Sequence, residues 1–425
     1  TKKIESNSLF EIKEDTAKDA TVAAAAQKII DRIDKEYGAV FAKSEVVLNG
    51  AKAPNGNRDS ETNNGDLITD AMVWKILQDK ESLTVDADHV VAVTNGGGIR
   101  KAINPGDVTK KNINEVLPFG NTVVTIYVTG AELLEALEAS TYCTPDAIGG
   151  FPQVSGINYT ISTAVAYDAD AETYPASTYY GPKSINRVTI NSINGKEFKA
   201  DDTYAVITND FCGGGGDTYY AFAAATAKFD TGIPLDEVVM EYITAELKGV
   251  IGKQYAAPQG RILMNPFADV KASSWFGKYV IDLYNDGIIN GTSATTYAPN
   301  NTLTWAAALK LLLVSNGDLK AADATGADWS KNAIAKAAEL GLVAADLDGA
   351  KAISRLEFCQ VAAKLNKLAE SKTESKFTDC TDGYVMALVD AKVINGMTET
   401  TFEPDASLTR AQIAKIIYQL NLIEK

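Results

Sequence analysis

The chain has 425 residues, 46% of them apolar and 22% charged, and a net charge of −15. That length exceeds one ordinary core, so about two to four folded domains are expected. The acidic balance excludes a nucleic-acid polymer as partner, because phosphates demand a basic footprint, and no apolar run is long enough for membrane insertion as a helix.

Thr1 to Phe10 lack an apolar signal core, which implies a processed or excised start. From about Ala20 to Val40, Ile29, Ile30, Ile33, Tyr37 and Val40 recur at helical spacing and predict an amphipathic helix. A second helix is expected after Asn63-Asn64-Gly65-Asp66, with Leu67, Ile68, Ala71, Met72 and Ile76 on one face. Strands are predicted at Val90–Val93 and Thr122–Val128, then a helix over Ala131–Ala139. Further strands are expected at Gly156–Ile161, Val188–Ile190 and Tyr204–Thr208, so the chain to about residue 263 reads as a mixed α+β domain.

Near Leu263-Met264-Asn265-Pro266 the pattern becomes helical and repeats. Leu303-Thr304-Trp305, Ile353-Ser354-Arg355 and Leu408-Thr409-Arg410 each open an amphipathic helix. Gly287-Ile288-Ile289-Asn290-Gly291 and Lys392-Val393-Ile394-Asn395-Gly396 are near-copies, followed by Tyr297 with Pro299 and by Phe402 with Pro404. The middle unit keeps Gly341-Leu342-Val343 but shortens the loop. Repetition at roughly fifty residues predicts units that bury their faces against one another.

Four cysteines (Cys143, Cys212, Cys359, Cys380) are too few and too widely spaced for a disulfide scaffold or a zinc ribbon. The single histidine, His89, cannot supply the several imidazoles of a dinuclear phosphoesterase centre. His89 is read as structural, and no catalytic residue and no metal ligand is expected.

Four segments carry the candidate binding chemistry. They are Arg58-Asp59-Ser60-Glu61-Thr62-Asn63, Asn95-Gly96-Gly97-Gly98-Ile99-Arg100, Leu117-Pro118-Phe119-Gly120-Asn121, and Thr208-Asn209-Asp210-Phe211 leading to Asp217. Gly96 to Gly98 admit close backbone approach and could form an anion-binding nest, or a tight turn only. Arg58 and Arg100 offer planar cationic forks. Phe119 and Phe211 could stack on a base, or act as lids over the core. Asp217 suits ribose hydroxyls, and Asn95 suits a base edge.

In this order the segments, with Phe151-Pro152-Gln153-Val154-Ser155-Gly156, resemble the C-terminal domain of the 5'-nucleotidase family over roughly residues 40 to 263. The resemblance implies that Arg58, Asn95, Arg100, Phe119, Phe211 and Asp217 contact a nucleotide or nucleoside, the two rings sandwiching its base. It implies a separate N-terminal metallophosphatase domain with two divalent metals; no cofactor is expected in this chain. Cys212, Gly213 and Thr218 depart from the family pattern beside the expected base slot.

The helical units resemble S-layer homology repeats, through Phe267-Ala268-Asp269-Val270, Phe377-Thr378-Asp379 and the helix openings. This implies anchoring to a cell-wall polysaccharide through Arg355 and Arg410, an extracellular location in the cell wall or S-layer, and self-assembly as an alternative role. Trp305 stands where the arginine is expected. The resulting organisation is a linker (1–47), a nucleotidase C-terminal-like α+β domain (48–264), and an all-α set of three repeats (265–317, 318–370, 371–425).

Overall fold

The computed structural model describes residues 12–13, 15–165, 183 and 185–423, so the reading of Thr1 to Phe10 lies outside the described residues. In chain order the first region contains α1 (Ala20–Tyr37), β1 (Val40–Ser44), α2 (Asn63–Leu77), β2 (Val90–Asn95), β3 (Gly106–Thr109) and α3 (Lys110–Val116). Then come β4 (Thr122–Thr129), α4 (Gly130–Ser140), β5 (Pro152–Ser155), β6 (Ile157–Ser162), β7 (Val188–Ile193) and β8 (Thr203–Asn209). The region closes with α5 (Asp210–Gly213), α6 (Tyr220–Ala223), β9 (Ala227–Pro234), α7 (Leu235–Ala245), β10 (Val250–Ile251) and β11 (Ile262–Asn265).

The central sheet has five strands in the order β5-β2-β8-β4-β9. β2 and β8 run parallel, and the other neighbours are antiparallel. Val90 to Val93 are all buried, which explains their unbroken apolar run: this strand has a core on each face. Val90 and Ala92 pack with Leu67, Ile68 and Met72 of α2 and Val238 and Ile243 of α7. Val91 and Val93 face Leu133 and Leu137 of α4, with Tyr159, Tyr219 and Phe222 behind them. Two three-stranded sheets, β10-β1-β3 and β11-β6-β7, flank this body.

The helix expected over Ala20–Val40 stops at Tyr37, where Gly38 closes it by donating to the Asp34 carbonyl; Val40 instead begins β1. Its apolar stripe is exposed rather than buried. α2 begins earlier than expected: Asn63 to Asp66 form its first turn rather than its cap, and Thr62 is the N-cap, accepting from Gly65 N.

A charged network ties the start of α2 to the end of this region. Glu61 accepts from the amides of Gln259 and Ile262, and buried Asp66 accepts from Gln259. Arg261 bridges to Asp70 at 2.8 Å and lies 3.5 Å from Asp66. Burial, followed by the Glu61 charge, pushes the Asp66 carboxyl up to about 9.

From residue 277 on, the elements are α8 (Gly277–Asn285), α9 (Trp305–Ser315), α10 (Trp329–Glu339), α11 (Arg355–Leu365), α12 (Gly383–Asp390) and α13 (Arg410–Asn421). The helix starts of this region interlock in sequence. At the start of α9, Trp305 and Ala306 donate to Lys351 and Gly349, just before α11. At the start of α11, Arg355 and Leu356 donate to Ala406 and Pro404, just before α13. At the start of α13, Arg410 and Ala411 donate back to Asn301 and Pro299, just before α9. Single bridges Thr304–Ala352, Ser354–Ser407 and Thr302–Thr409 follow the same order. Asp269 and Asp379 each accept two backbone amides of the aromatic loop, Tyr297 and Ala298 in one unit, Phe402 and Glu403 in the other. That is the physical reason for the Phe-x-Asp openings.

Candidate functional site: the loop end of the central sheet

The parallel strands β2 and β8 end side by side at Asn95 and Asn209. β4 and β5 run against them, so the segments leading into those strands, 117–121 and 148–151, lie at the same end. The 58 loop joins them, since Ile148 N donates to Arg58 O at 2.9 Å. The topology thus gathers all four candidate segments at one edge of the sheet, beyond the carboxyl ends of its parallel pair. Ligand clefts of α/β sheets form in such places.

Asn95 is the centre of the cluster. Its amide donates to Asp217 Oδ2 at 2.7 Å, and its oxygen accepts from Asn209 Nδ2 at 3.0 Å. Asn209 also donates to Thr94 Oγ1 and caps α5 by accepting from Cys212 N. Asp217 holds a left-handed backbone, φ 50°, at the end of the glycine loop. Burial pushes its carboxyl above the ordinary value, opposed by the Asn95 hydrogen bond and then the Arg58 charge. Arg58 is half-buried, and its Nε is a buried donor without a protein partner among the described residues.

The aromatic side of the cluster is open. Phe119 is 60% exposed and Phe211 is 43% exposed. The Arg100 guanidinium lies 5.6 Å from the centre of the Phe119 ring, and its Nη1 donates to Gly97 O. Phe119 shares a recess with Thr94, Gly98, Asn121 and Asn209. Asn121 donates to Asp210 Oδ1 at 2.7 Å, which fastens the Phe119 turn to the helix carrying Phe211. The Phe211 ring covers Gly216, where an added Cβ would fall 2.6 Å from the ring.

The glycine run is not an anion nest. Gly96 N donates to Phe151 O and Gly97 N to Gly149 O, both at 2.7 Å, so two of the three amides are spent on the neighbouring loop. The glycines answer a packing need: a Cβ on Gly96 would lie 1.6 Å from Asn57 O. Cys212 and Thr218 directly follow Phe211 and Asp217 and so stand beside the cluster, but both are buried. Both side chains point beneath the loop into the core, Cys212 among the sheet residues and Thr218 against Gly150. Asn209, Asn121 and Gln153 escape sequence reasoning. Gln153 accepts from Thr62 N and donates to Asn57 O and Ser60 O, and it shapes the 58 loop from a distant strand. Its Phe-x-Gln-Val-Ser-Gly motif is the available signal.

In the helical units Arg355 is only 7% exposed. Its Nη2 donates to Asn395 O at 2.7 Å, and its guanidinium lies over the Phe402 ring at 4.7 Å. Arg410 donates to Tyr297 O and Asn290 O and lies 4.3 Å from the Tyr297 ring centre. Each arginine therefore plugs its own unit into the aromatic loop of another. Arg355 still borders a groove of about 180 Å³, shared with Trp275, Asn395, Met397, Gln412 and Lys415. Trp305 is buried in the common core, a packing role in place of an ionic one.

His89 is half-exposed at the opposite end of the sheet, with Nδ1 2.6 Å from Asp88 and Nε2 3.4 Å from Asp202. Among the described residues no group of three or more His, Cys, Asp or Glu side chains converges as metal ligands would. No described helix is long and apolar enough to cross a membrane.

Comparison with known proteins places these observations among relatives. Residues 40–224 match the family described as 5'-nucleotidase, C-terminal domain. Residues 266–308 and 379–414 match the S-layer homology domain; the middle unit is not matched. The chain is 36% identical over 221 residues to the trifunctional nucleotide phosphoesterase protein YfkN of Bacillus subtilis, covering 52% of this chain and 13% of that protein. It is 30% identical over 249 residues to the 5'-nucleotidase of Homo sapiens, covering 57% of this chain and 40% of that one. The 5'-nucleotidase precursor of Thermus thermophilus aligns at 30% identity with a TM-score of 0.44, over 57% of this chain and 42% of that chain. The chain spans only 13% to 58% of the length of such curated relatives. Its sequence therefore combines a segment similar to 5'-nucleotidase C-terminal domains with segments similar to S-layer homology domains.

Proposed function

We propose that residues 48–264 bind a nucleotide or nucleoside as the substrate-selecting half of a surface-anchored 5'-nucleotidase. One observation carries this reading: Arg58, Asn95 and Asp217 form a polar cluster at the sheet end where Phe119, Arg100 and Phe211 stand exposed. Phe119 and Phe211 hold the base between their faces, and Asp217 and Asn95 take ribose hydroxyls and a base edge. The two guanidinium groups attract the phosphate. Phosphomonoester hydrolysis falls to a separate domain with two divalent metals. Residues 265–317, 318–370 and 371–425 act as three S-layer homology units that hold the protein to a cell-wall polysaccharide outside the cell. Arg410, the less buried of the two arginines, and the groove beside Arg355 are the polymer contacts.

The alternative is a structural surface protein in which the cleft is vestigial. The exposure of both Phe119 and Phe211 argues for the binding role. Titration calorimetry with adenosine and AMP tests it. Phe211→Ala should weaken binding about tenfold, as expected for ~1–3 kcal/mol of base stacking. Unchanged affinity in that variant, or absence of binding by the native chain, refutes the assignment.

A further inference from the structure

The edge of the central sheet offers a second surface, remote from the nucleotide cluster. β9 ends the strand order, and no strand covers its outer side among the described residues. Phe229, at the middle of its regular part, is 63% exposed. Phe229, Thr231 and Ile233 alternate along one face and line a groove of about 450 Å³ with Ile76, Leu83 and Tyr127. Lys228 and Asp230 flank Phe229 and project from the opposite face of the strand. An exposed edge with an apolar face is a template for strand addition.

The charges decide what fits there. If β9 meets a second β9 antiparallel and centred on Phe229, Lys228 of each copy lies opposite Asp230 of the other. Phe229 then meets Phe229, and Ala227 meets Thr231. A centre on Lys228 or Asp230 sets like charges face to face, and a half-step centre sets Lys228 against Phe229. Opposite-charge and aromatic cross-strand pairs stabilise an antiparallel ladder, and like pairs oppose it. The pairing is isologous, so it closes as a two-fold dimer rather than growing into a filament. We infer that two copies of this chain associate through β9, extending the five-stranded sheet across a two-fold axis at Phe229. Asp230 Oδ1 accepts from Gly232 N at 2.9 Å, which leaves its second oxygen to meet Lys228 of the other copy.

Sedimentation velocity at low ionic strength tests this with the full chain. The native protein should shift from monomer to dimer as concentration rises. Lys228→Glu and Asp230→Lys should each weaken the dimer by roughly tenfold or more, because both pairs become repulsive. An equimolar mixture of the two variants should recover dimer, since each restores the other's missing sign. Phe229→Cys should cross-link to itself under mild oxidation, independently of any charge change. A native chain that stays monomeric at about 100 µM overturns the inference, as does a groove that takes up an extended peptide or apolar small molecule without self-association. So do single charge variants that dimerise as tightly as the native chain, and a Phe229→Cys chain that never cross-links.

Discussion

Asp66→Asn should make the protein more stable, and increasingly so as pH rises. Asp66 is buried beside Glu61, which spends both carboxylate oxygens on the amides of Gln259 and Ile262. The proton of this pair therefore belongs to Asp66, whose carboxyl is lifted from 3.8 to about 9 by burial first and by Glu61 second. In the unfolded chain the same carboxyl loses its proton near its ordinary value. Between the two values the native state binds one proton more, so its stability falls as pH rises through that window. One proton corresponds to about 1.4 kcal/mol per pH unit. An asparagine keeps the donor toward Glu61 and removes the titration. The difference in unfolding free energy between variant and native protein should thus grow by about 2.7 kcal/mol between about pH 5.5 and 7.5. Urea unfolding across that range measures it. Parallel curves for the two proteins refute the protonated assignment and the reasoning behind it.

His89 is held by Asp88 first and Asp202 second, which raises its pKa. That contribution is complete below about pH 6.5 and fades as pH rises through the shifted value, so His89→Gln should flatten the melting-temperature profile between about pH 6 and 8. Gly96→Ala should cost about 1–3 kcal/mol, because its methyl group meets the Asn57 carbonyl and forces the loops apart; calorimetric melting reads it, and nucleotide affinity should fall with it. Arg410→Ala should lower the melting temperature of the helical region, by about 2–4 kcal/mol in stability, through lost bonds to Tyr297 and Asn290 and a lost ring contact. Arg410→Lys should restore less than half, since an ammonium lacks the planar fork. An unchanged transition in Arg410→Ala would show that the residue is not a structural plug.

The elements legible in the sequence are those with a strong local signal. α2 shows its apolar face, though its cap is Thr62 rather than the Asn63–Asp66 cluster, and β2 shows its β-branched run into glycine. Short strands such as β3, β5, β10 and β11 escape because their pairing is decided by distant partners; β10 joins β1 across roughly two hundred residues, and two residues carry no period. The segments that converge at this end of the sheet are legible through motif order, but their internal wiring is not. Nothing in the sequence says that Asn95 joins Asp217 to Asn209, or that Gly96 and Gly97 amides are already engaged, because those bonds follow from how five loops converge. The exposed stripe of α1 carries a similar lesson, since periodicity reports amphipathicity and not the presence of a partner. Arg355 and Arg410 read as polymer contacts only through the resemblance to S-layer homology repeats. Their packing over Phe402 and Tyr297 depends on which helix start meets which aromatic loop.

The successive handover of backbone bonds from the start of α9 to the segment before α11, from α11 to the segment before α13, and from α13 back to the segment before α9 has a consequence for truncation. A linear array can lose a terminal module and keep the rest, because only one junction is broken. Here the last helix seals the loop around Tyr297, so deleting residues from about 405 onward breaks two junctions at once and uncovers the Tyr297 ring on which Arg410 lies. The helical region should therefore be lost as one cooperative piece, with no stable remnant before residue 405.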